Sequence, residues 1–165
     1  MITLVVVKAM KIAVALLIVS DRVCAGVMED RSGPEAEDAL RSFADVVDKG
    51  CVPDDYAEIR SRLIGWCERG IDVILTIGGT GLSPRDVTPE ATRSVIEREV
   101  PALSWALLFN GLISTPRAAL SRALAGVRGR TLIINLPGSP SAVRSSIEYL
   151  QGILPHAVSV IRGAG

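Results

Sequence analysis

The segment TIGGTGLSPRDVTPEAT, residues 76–92, is rich in glycine and follows an apolar run. Gly78, Gly79 and Gly81 surround a single threonine, Thr80. Because glycine has no Cβ atom, this backbone can approach a ligand closely and adopt positive φ angles. Successive N–H groups in such a loop can form an anion nest. The segment therefore predicts a phosphate-binding loop, with a tight strand-to-helix turn as the alternative.

Asp86 is the candidate metal ligand of this loop. Thr88 is the predicted N-cap of the next helix and Pro89 its first residue, so the carboxylate of Asp86 is not needed for capping. Mg²⁺ prefers oxygen ligands and often bridges carboxylates to phosphates. A second candidate is Asp54 in VPDDYAEI, which follows another predicted strand. For Asp54 the alternative is that it caps the helix after it.

Two further loops resemble this one in their polar and glycine-bearing character. IVSDR ends the first predicted strand and NLPGSP the last, and their candidate binding residues are Ser20, Asp21, Asn135, Pro137, Gly138 and Ser139. The carboxyl ends of parallel strands share one edge of a sheet, where ligands bind in open α/β folds. Helix N-termini at Thr88 and Ser139 would add partial positive charge there.

Apolar runs alternate with helical patterns along the chain. Strands are predicted at 11–19, 45–52, 71–77 and 131–136, and helices at 33–43, 54–69, 88–100, 101–112 and 141–161, the last broken at Pro155. Residues 118–127 suit either a helix or a turn. Strands that are apolar on both faces predict an α/β fold of three layers, with a mostly parallel sheet flanked by helices. We expect one domain over residues 1–165, with residues 1–9 as a possible N-terminal extension.

Composition argues against several functional classes. The 165 residues carry 18 basic and 18 acidic side chains, and aromatic residues make up 4%. A nucleic-acid partner is not expected, because such proteins usually show a basic stripe or stacking aromatics. The apolar stretch Ile12–Val19 is too short to span a bilayer, so we expect no membrane partner and a cytoplasmic protein.

The cysteines and the histidine show no pattern that predicts a metal site or a catalytic role. Cys24, Cys51 and Cys67 are odd in number and match no metal-binding spacing, so they are expected to be small buried thiols in a reducing compartment. His156 is the single histidine and is expected to be structural or exposed.

Four motifs occur in a fixed order along the chain. They are VSDRVCAGVMEDRSGP, CVPDDYAEI, TIGGTGLSPRDVTPEAT and TPRAALSRALAGVRGRTLIINLPGSPSAV. Together they resemble the signature of the molybdopterin adenylyltransferases, the Mog/MoaB-like family that includes the G domains of gephyrin and of the plant molybdenum-cofactor protein. The resemblance runs from about Met10 to Gly163.

The resemblance implies a Rossmann-like enzyme of molybdenum cofactor biosynthesis. Such enzymes use Mg²⁺ to join AMP from ATP to the terminal phosphate of molybdopterin, with release of pyrophosphate. The family's two functional aspartates fall on Asp54 and Asp86, implied as catalytic and metal-binding residues. Its binding positions fall on Ser20, Asp21, Ser121 and Asn135. The resemblance also implies a homotrimer and hand-over of the product to a molybdenum insertase.

One helix departs from the bacterial pattern. Many bacterial members carry Glu-x-x-Arg after a VPG motif, whereas this chain reads VPALSWALLFNG, with Trp105 and Leu108 at those positions. The eukaryotic domains carry apolar residues there too. Trp105, Leu107, Leu108 and Phe109 cannot all face one core from a single helix, which also favours an oligomer.

Two other functions remain open at this point. One is a non-catalytic module that binds molybdopterin or serves as a scaffold. The other is a nucleotide-binding domain with a different substrate. Turnover of molybdopterin and ATP to the adenylylated pterin distinguishes the enzyme from both.

Overall fold

A six-stranded, mostly parallel sheet forms the centre of the computed structural model, which describes residues 11–164. The strands are β1 (Ile12–Val19), β2 (Ala44–Val52), β3 (Val73–Ile77), β4 (Arg98–Glu99), β5 (Ala125–Arg128) and β6 (Thr131–Leu136). Their order is β2-β1-β3-β6-β5-β4, with β4 and β5 antiparallel to their neighbours. The predicted α/β class is confirmed.

Helices cover both faces of this sheet. They are α1 (Asp21–Cys24), α2 (Ser32–Leu40), α3 (Tyr56–Glu68), α4 (Thr88–Arg93), α5 (Pro101–Ser114), α6 (Pro140–Leu150) and α7 (Leu154–Ile161), with a 3-10 helix at Pro116–Leu120. Pro155 lies in the first turn of α7, and the predicted break lies just before it, between Leu150 and Leu154. Within the described residues, no helix is long and apolar enough to cross a bilayer.

The side chains of β1 point alternately to the two faces of the sheet, and both faces are buried, which is why its sequence is apolar throughout. Val14 and Leu16 belong to one buried cluster, while Ala15 and Leu17 belong to a second cluster on the other face of the sheet. A strand that is covered by helices on both sides has no polar face. The strand order reverses between β1 and β3, so the loops after these two strands border the crevice where open α/β folds bind ligands.

Tertiary pairing overrides two local predictions. The helix predicted to reach Val100 ends at Arg93, because residues 97–100 pair with β5 instead. The ambiguous segment 118–127 divides into the end of the 3-10 helix and the start of β5. A Cβ atom on Gly126 would lie 2.8 Å from the carbonyl oxygen of Arg98, so the glycine permits this close pairing.

The prediction of three reduced cysteines is wrong. Cys24 and Cys51 form a disulfide, and both side chains are exposed. Cys24 ends α1, Cys51 pairs with Ile18 in the sheet, and the two cysteine Cα atoms lie 5.8 Å apart, which suits a disulfide. Cys67 is a half-buried free thiol. The disulfide removes the premise from which a reducing compartment was inferred. Residues 1–9, the predicted extension, lie outside the described residues.

Replacing both Cys24 and Cys51 with serine should lower the free energy of unfolding by about 2–4 kcal/mol, because the bond closes a long loop in the unfolded chain. Denaturant titration of the oxidised parent and the double variant measures this difference. Cys67→Ser is the control for loss of a thiol. An unchanged midpoint in the double variant would show that the cross-link does not contribute to stability.

Candidate functional site

Asp21 and Asp54 join the loops that follow β1 and β2. The backbone N–H of Asp21 donates to Oδ2 of Asp54 at 2.9 Å, and the backbone N–H of Asp54 donates to Oδ1 of Asp21 at 3.0 Å. The Cys24–Cys51 disulfide connects the same two segments three residues away from each aspartate. Covalent and hydrogen bonds therefore hold these carboxylates at the carboxyl edge of the sheet.

Arg85 forms a salt bridge with both carboxylate oxygens of Asp21. Its Nε donates to Oδ2 at 3.0 Å and a terminal nitrogen donates to Oδ1 at 2.8 Å. The hydrogen bonds from Arg85, followed by that from the backbone of Asp54, lower the pKa of Asp21 below its ordinary value. Asp21 is thus ionised and already paired, which makes it an organising residue of the edge rather than an open ligand.

The glycine loop packs too closely for a Cβ atom at three of its positions. Gly78 has a φ of 101°, and a Cβ atom there would lie 2.5 Å from the carbonyl oxygen of Val19. Gly79 has a φ of 64°, and its Cβ atom would lie 2.3 Å from Oγ1 of Thr88. Gly81 does not adopt a positive φ, contrary to expectation, but its Cβ atom would lie 2.8 Å from Oδ2 of Asp86.

Two helix caps differ from the predictions. Thr88 is the first residue of α4 rather than its N-cap, and its buried hydroxyl donates to the carbonyl oxygen of Gly78 at 3.0 Å. Asp55, not Asp54, caps α3 by accepting a bond from the N–H of Glu58 at 3.0 Å. The capping alternative for Asp54 is therefore wrong, because the tertiary position of the β2 loop turns its carboxylate toward the glycines.

The carboxylate of Asp54 lies in an unfavourable electrostatic environment. Burial raises its pKa above the ordinary value, and the nearby charges of Asp21 and Asp86 add to that rise against the hydrogen bond from the Asp21 backbone. Its Oδ1 lies 3.1 Å from the place where Gly79 would carry a Cβ atom. Within the described part of the chain, Oδ1 accepts no hydrogen bond. A carboxylate in this setting favours a cation nearby.

Asp54 and Asp86 are the two candidate ligands for a magnesium ion that would be shared with a phosphate ligand. Asp86 uses Oδ2 to accept a bond from the N–H of Ser83 at 3.1 Å. Residues 11–164 contain no group of three or more metal-binding side chains. Mg²⁺ commonly binds one or two carboxylates and completes its shell with waters and substrate phosphates, so two aspartates are a sufficient protein contribution.

Asn135 and Ser121 have different surroundings in the last loop region. The buried Nδ2 of Asn135 donates to the hydroxyls of Thr76 and Thr92, each at 2.9 Å, and its Oδ1 accepts from the N–H of Leu124. Asn135 therefore ties β6 to β3 and α4. Ser121 directly follows the 3-10 helix as its C-cap, and its hydroxyl accepts a 3.3 Å bond from the N–H of Ala123.

Two cavities border these loops. The larger, about 770 Å³, lies between α5, the 3-10 helix and α6, and its lining includes Trp105, Leu108, Ser121, Asn135, Pro137 and Ser139. The smaller, about 430 Å³, lies beside β1 and α2, and its lining includes Ser20, Ser32, Gly78 and Gly138. Gly138 also accepts a 2.7 Å bond from the hydroxyl of Ser32. The edge thus offers two separate concave surfaces, one lined by Gly81 and the other by Gly78.

Sequence reasoning missed two arginines that organise this edge. Arg85 contacts Asp21 across 64 positions of sequence, and Arg122 contacts the carbonyl oxygen of Gly81 across 41 positions. Arg85 is adjacent to Asp86, and Arg122 follows Ser121, so both were within the motifs. Neither has a spacing that reveals its partner before the fold is known.

Comparison with known proteins relates the chain to molybdenum cofactor proteins. The family model described as "Probable molybdopterin binding domain" matches residues 15–156. The molybdenum cofactor synthesis protein cinnamon of Drosophila melanogaster is 43% identical over 91% of this chain, which spans 26% of cinnamon. A molybdopterin adenylyltransferase of Helicobacter pylori is 36% identical over 92% of this chain and 89% of its own length.

Solved structures show the same likeness. The molybdopterin biosynthesis enzyme MoaB of Thermus thermophilus has 47% identity and a TM-score of 0.87 over 92% of this chain and 97% of its own. The molybdopterin biosynthesis Mog protein of Mycobacterium ulcerans has 35% identity and a TM-score of 0.86 over 94% and 99% of the two chains.

Asp54→Asn should raise the thermal midpoint of the metal-free protein near neutral pH. Because folding raises the pKa of Asp54 above 3.8, the folded state binds more protons than the unfolded chain between those two pKa values. The resulting stabilisation is present below the unfolded pKa and is lost as pH rises through the folded pKa. The advantage of the variant should therefore shrink as the pH falls toward about 4.

Thermal denaturation across this pH range, without divalent cations, measures the effect. Asp55→Asn is the matched control, because asparagine caps a helix about as well as aspartate does. A midpoint for Asp54→Asn that stays below that of the parent across the range would contradict the proposed strain on the ionised carboxylate.

Proposed function

This chain belongs to the molybdopterin binding domain family of molybdenum cofactor biosynthesis, and on that premise we propose that it is a molybdopterin adenylyltransferase. The curated name of the Helicobacter pylori relative, which this chain covers over most of its length, supports the activity. The observation that carries the proposal is the strained carboxylate of Asp54, which lies beside a glycine loop and close to Asp86. Such a site is suited to a metal–phosphate complex.

The proposed reaction needs positioning rather than a general base. An oxygen of the terminal phosphate of molybdopterin attacks the α-phosphorus of ATP, and the bond from that phosphorus to the bridging oxygen of pyrophosphate breaks. The attacking phosphate is already ionised at neutral pH. His156 lies on α7 and is not assigned a role, because the reaction as proposed needs no histidine base.

Holding the metal and the phosphates in position is the main task of the chain's own residues. Asp54 and Asp86 would hold Mg²⁺, which would supply positive charge to offset that of the phosphates. Backbone N–H groups of residues 79–81 would bind phosphate oxygens, whereas that of Gly78 donates to the carbonyl oxygen of Leu136 at 3.1 Å. Asp21 would hold Asp54 in place rather than bind the metal, because Arg85 occupies both of its oxygens.

Two cavities provide room for two substrates. Ser121, Pro137 and Ser139 face the larger one, and Ser20 and Gly138 face the smaller one. We propose that these loops bind the pterin and the nucleotide on opposite sides of the glycine loop. Asn135 would act chiefly by fixing the last strand, because both of its amide hydrogens are used within the protein.

The decisive test is turnover by purified protein that is supplied with molybdopterin, ATP and Mg²⁺. Adenylylated molybdopterin and pyrophosphate should form in equal amounts. Tight pterin binding without product would favour the non-catalytic module. Hydrolysis of ATP that proceeds without pterin would favour a nucleotide-binding domain with another substrate.

Asp86→Asn should reduce turnover by roughly 10²–10³, the usual cost of losing one preorganised electrostatic contact. Asparagine keeps an oxygen that can accept the bond from Ser83, so the loop should retain its shape. Steady-state rates, pterin affinity and thermal midpoints are compared with those of Asp45→Asn, whose exposed carboxylate pairs with Lys11 at the start of β2. Turnover of Asp86→Asn within about threefold of the parent would exclude the metal-ligand role.

We also propose a homotrimer that hands its product to a molybdenum insertase. The exposed face of α5 supports self-association, because Trp105, Phe109 and Ile113 follow one another at four-residue intervals and are 63%, 66% and 86% exposed. Large apolar side chains grouped on one helix face are typical of interaction surfaces.

Light scattering at micromolar concentration should give the mass of a trimer. The double substitution Trp105→Glu and Phe109→Glu should shift the mass toward that of a monomer, because charges replace apolar contact area. Val160→Glu on α7, where the parent side chain is 50% exposed, is the control. A monomeric parent would contradict the assembly.

A further inference from the structure

Arg122 binds four points of the segment that contains Asp86. Its backbone N–H donates to the carbonyl oxygen of Thr80 at 2.8 Å. Its Nε donates to the carbonyl oxygen of Gly81 at 2.7 Å, and a terminal nitrogen donates to that of Asp86 at 2.7 Å. The other terminal nitrogen contacts the carboxylate of Glu90 on α4.

These contacts fix both ends of one loop with a single planar group. Gly81 begins the loop and Asp86 ends it, so the two carbonyl oxygens that bind the guanidinium set the distance between the ends. Inside the loop, the N–H of Asp86 donates to the carbonyl oxygen of Ser83 at 2.9 Å. The Arg122 side chain is 35% exposed, and its bonds to Gly81 and Asp86 are partly buried, which shields them from water and makes them stronger than those of a surface arginine.

We propose that Arg122 is a positioning residue that holds the 81–86 loop so that the Asp86 carboxylate faces the metal–phosphate site. The inference rests on the function proposed above, because the metal–phosphate complex belongs to it. Arg122 acts on the chemistry through the backbone of Asp86. Glu90 assists by orienting the guanidinium from the opposite side.

Lysine cannot reproduce this arrangement. Arginine presents five donors in a rigid plane, whereas lysine presents a single flexible ammonium group. Arg122→Lys keeps the positive charge, so any change in the loop would come from the loss of its simultaneous bonds to Gly81 and Asp86. Arg69→Lys is the matched control. Arg69 lies at the C-terminal end of α3, where it contacts the side chain of Asp48, and it does not contact the 81–86 loop.

Hydrogen exchange of the parent and both variants tests the positioning directly. In Arg122→Lys, the amides of residues 81–86 should exchange about tenfold faster, while those of β3 and β6 should be unchanged. Arg69→Lys should leave the loop unchanged. Unaltered exchange in the 81–86 loop of Arg122→Lys would overturn the inference, whether or not the protein proves to be an adenylyltransferase.

Kinetics then test the link to catalysis. The kcat of Arg122→Lys should fall by about tenfold to a hundredfold, as expected when a reacting group is displaced by roughly 1 Å. The Mg²⁺ concentration for half-maximal rate should rise, and the KM for molybdopterin should stay within about threefold, since the pterin contacts are not altered. An unchanged kcat and Mg²⁺ requirement alongside a loosened loop would also overturn the role.

Two outcomes separate this inference from the proposed function. If the parent does not adenylylate molybdopterin, the proposed function is wrong. Hydrogen exchange and measurement of Mn²⁺ binding in the presence of ATP then still decide whether Arg122 positions a metal-binding loop. Should Arg122→Lys not fold, Glu90→Gln removes the charge that orients the guanidinium. Exchange in residues 81–86 that is identical to the parent in that variant would then overturn the inference.

Discussion

The reciprocal hydrogen bonds between Asp21 and Asp54 are the contact on which the rest of the site depends. They hold two acidic loops together although like charges repel, and Arg85 offsets part of that repulsion by pairing with Asp21. Among residues 11–164 Asp54 has no such partner, and its pKa rises because of burial and the neighbouring carboxylates. The fold thereby maintains one electrostatically strained group at the point where the sheet reverses its order, which is where a charged ligand would relieve the strain.

Close backbone packing explains why glycines border that strained group. Gly78 and Gly79 bring the third strand's loop so near Val19 and Thr88 that any Cβ atom would collide. The same approach places the loop's backbone next to Oδ1 of Asp54. A tight strand-to-helix turn and a phosphate-binding loop are thus not exclusive alternatives here, because the turn is what would bring backbone N–H groups and a carboxylate to the same ligand.

Local pattern predicted the parts of the structure that depend on neighbours in sequence. The strand Thr131–Leu136 has the predicted bounds, and the three polar loops meet at one edge because parallel strands require it. Features set by distant partners escaped prediction: the Cys24–Cys51 bond, the contact of Arg122 with Gly81, and the strand pairing that ends α4 early. Each involves geometry across more than 25 residues, and no local propensity encodes that.

A buried aspartate away from the site shows how the same fold treats a structural carboxylate. Asp72 lies just before β3, at the opposite edge of the sheet from the site, and is 7% exposed. It accepts bonds from the N–H of Ala13 at 2.9 Å and from Arg162 at both oxygens. A buried charge is tolerated when it is paired in this way and is costly otherwise. Asp54 is half-buried, and within the described residues no guanidinium pairs with it in this way, so its carboxylate remains available to the cation that the proposed function requires.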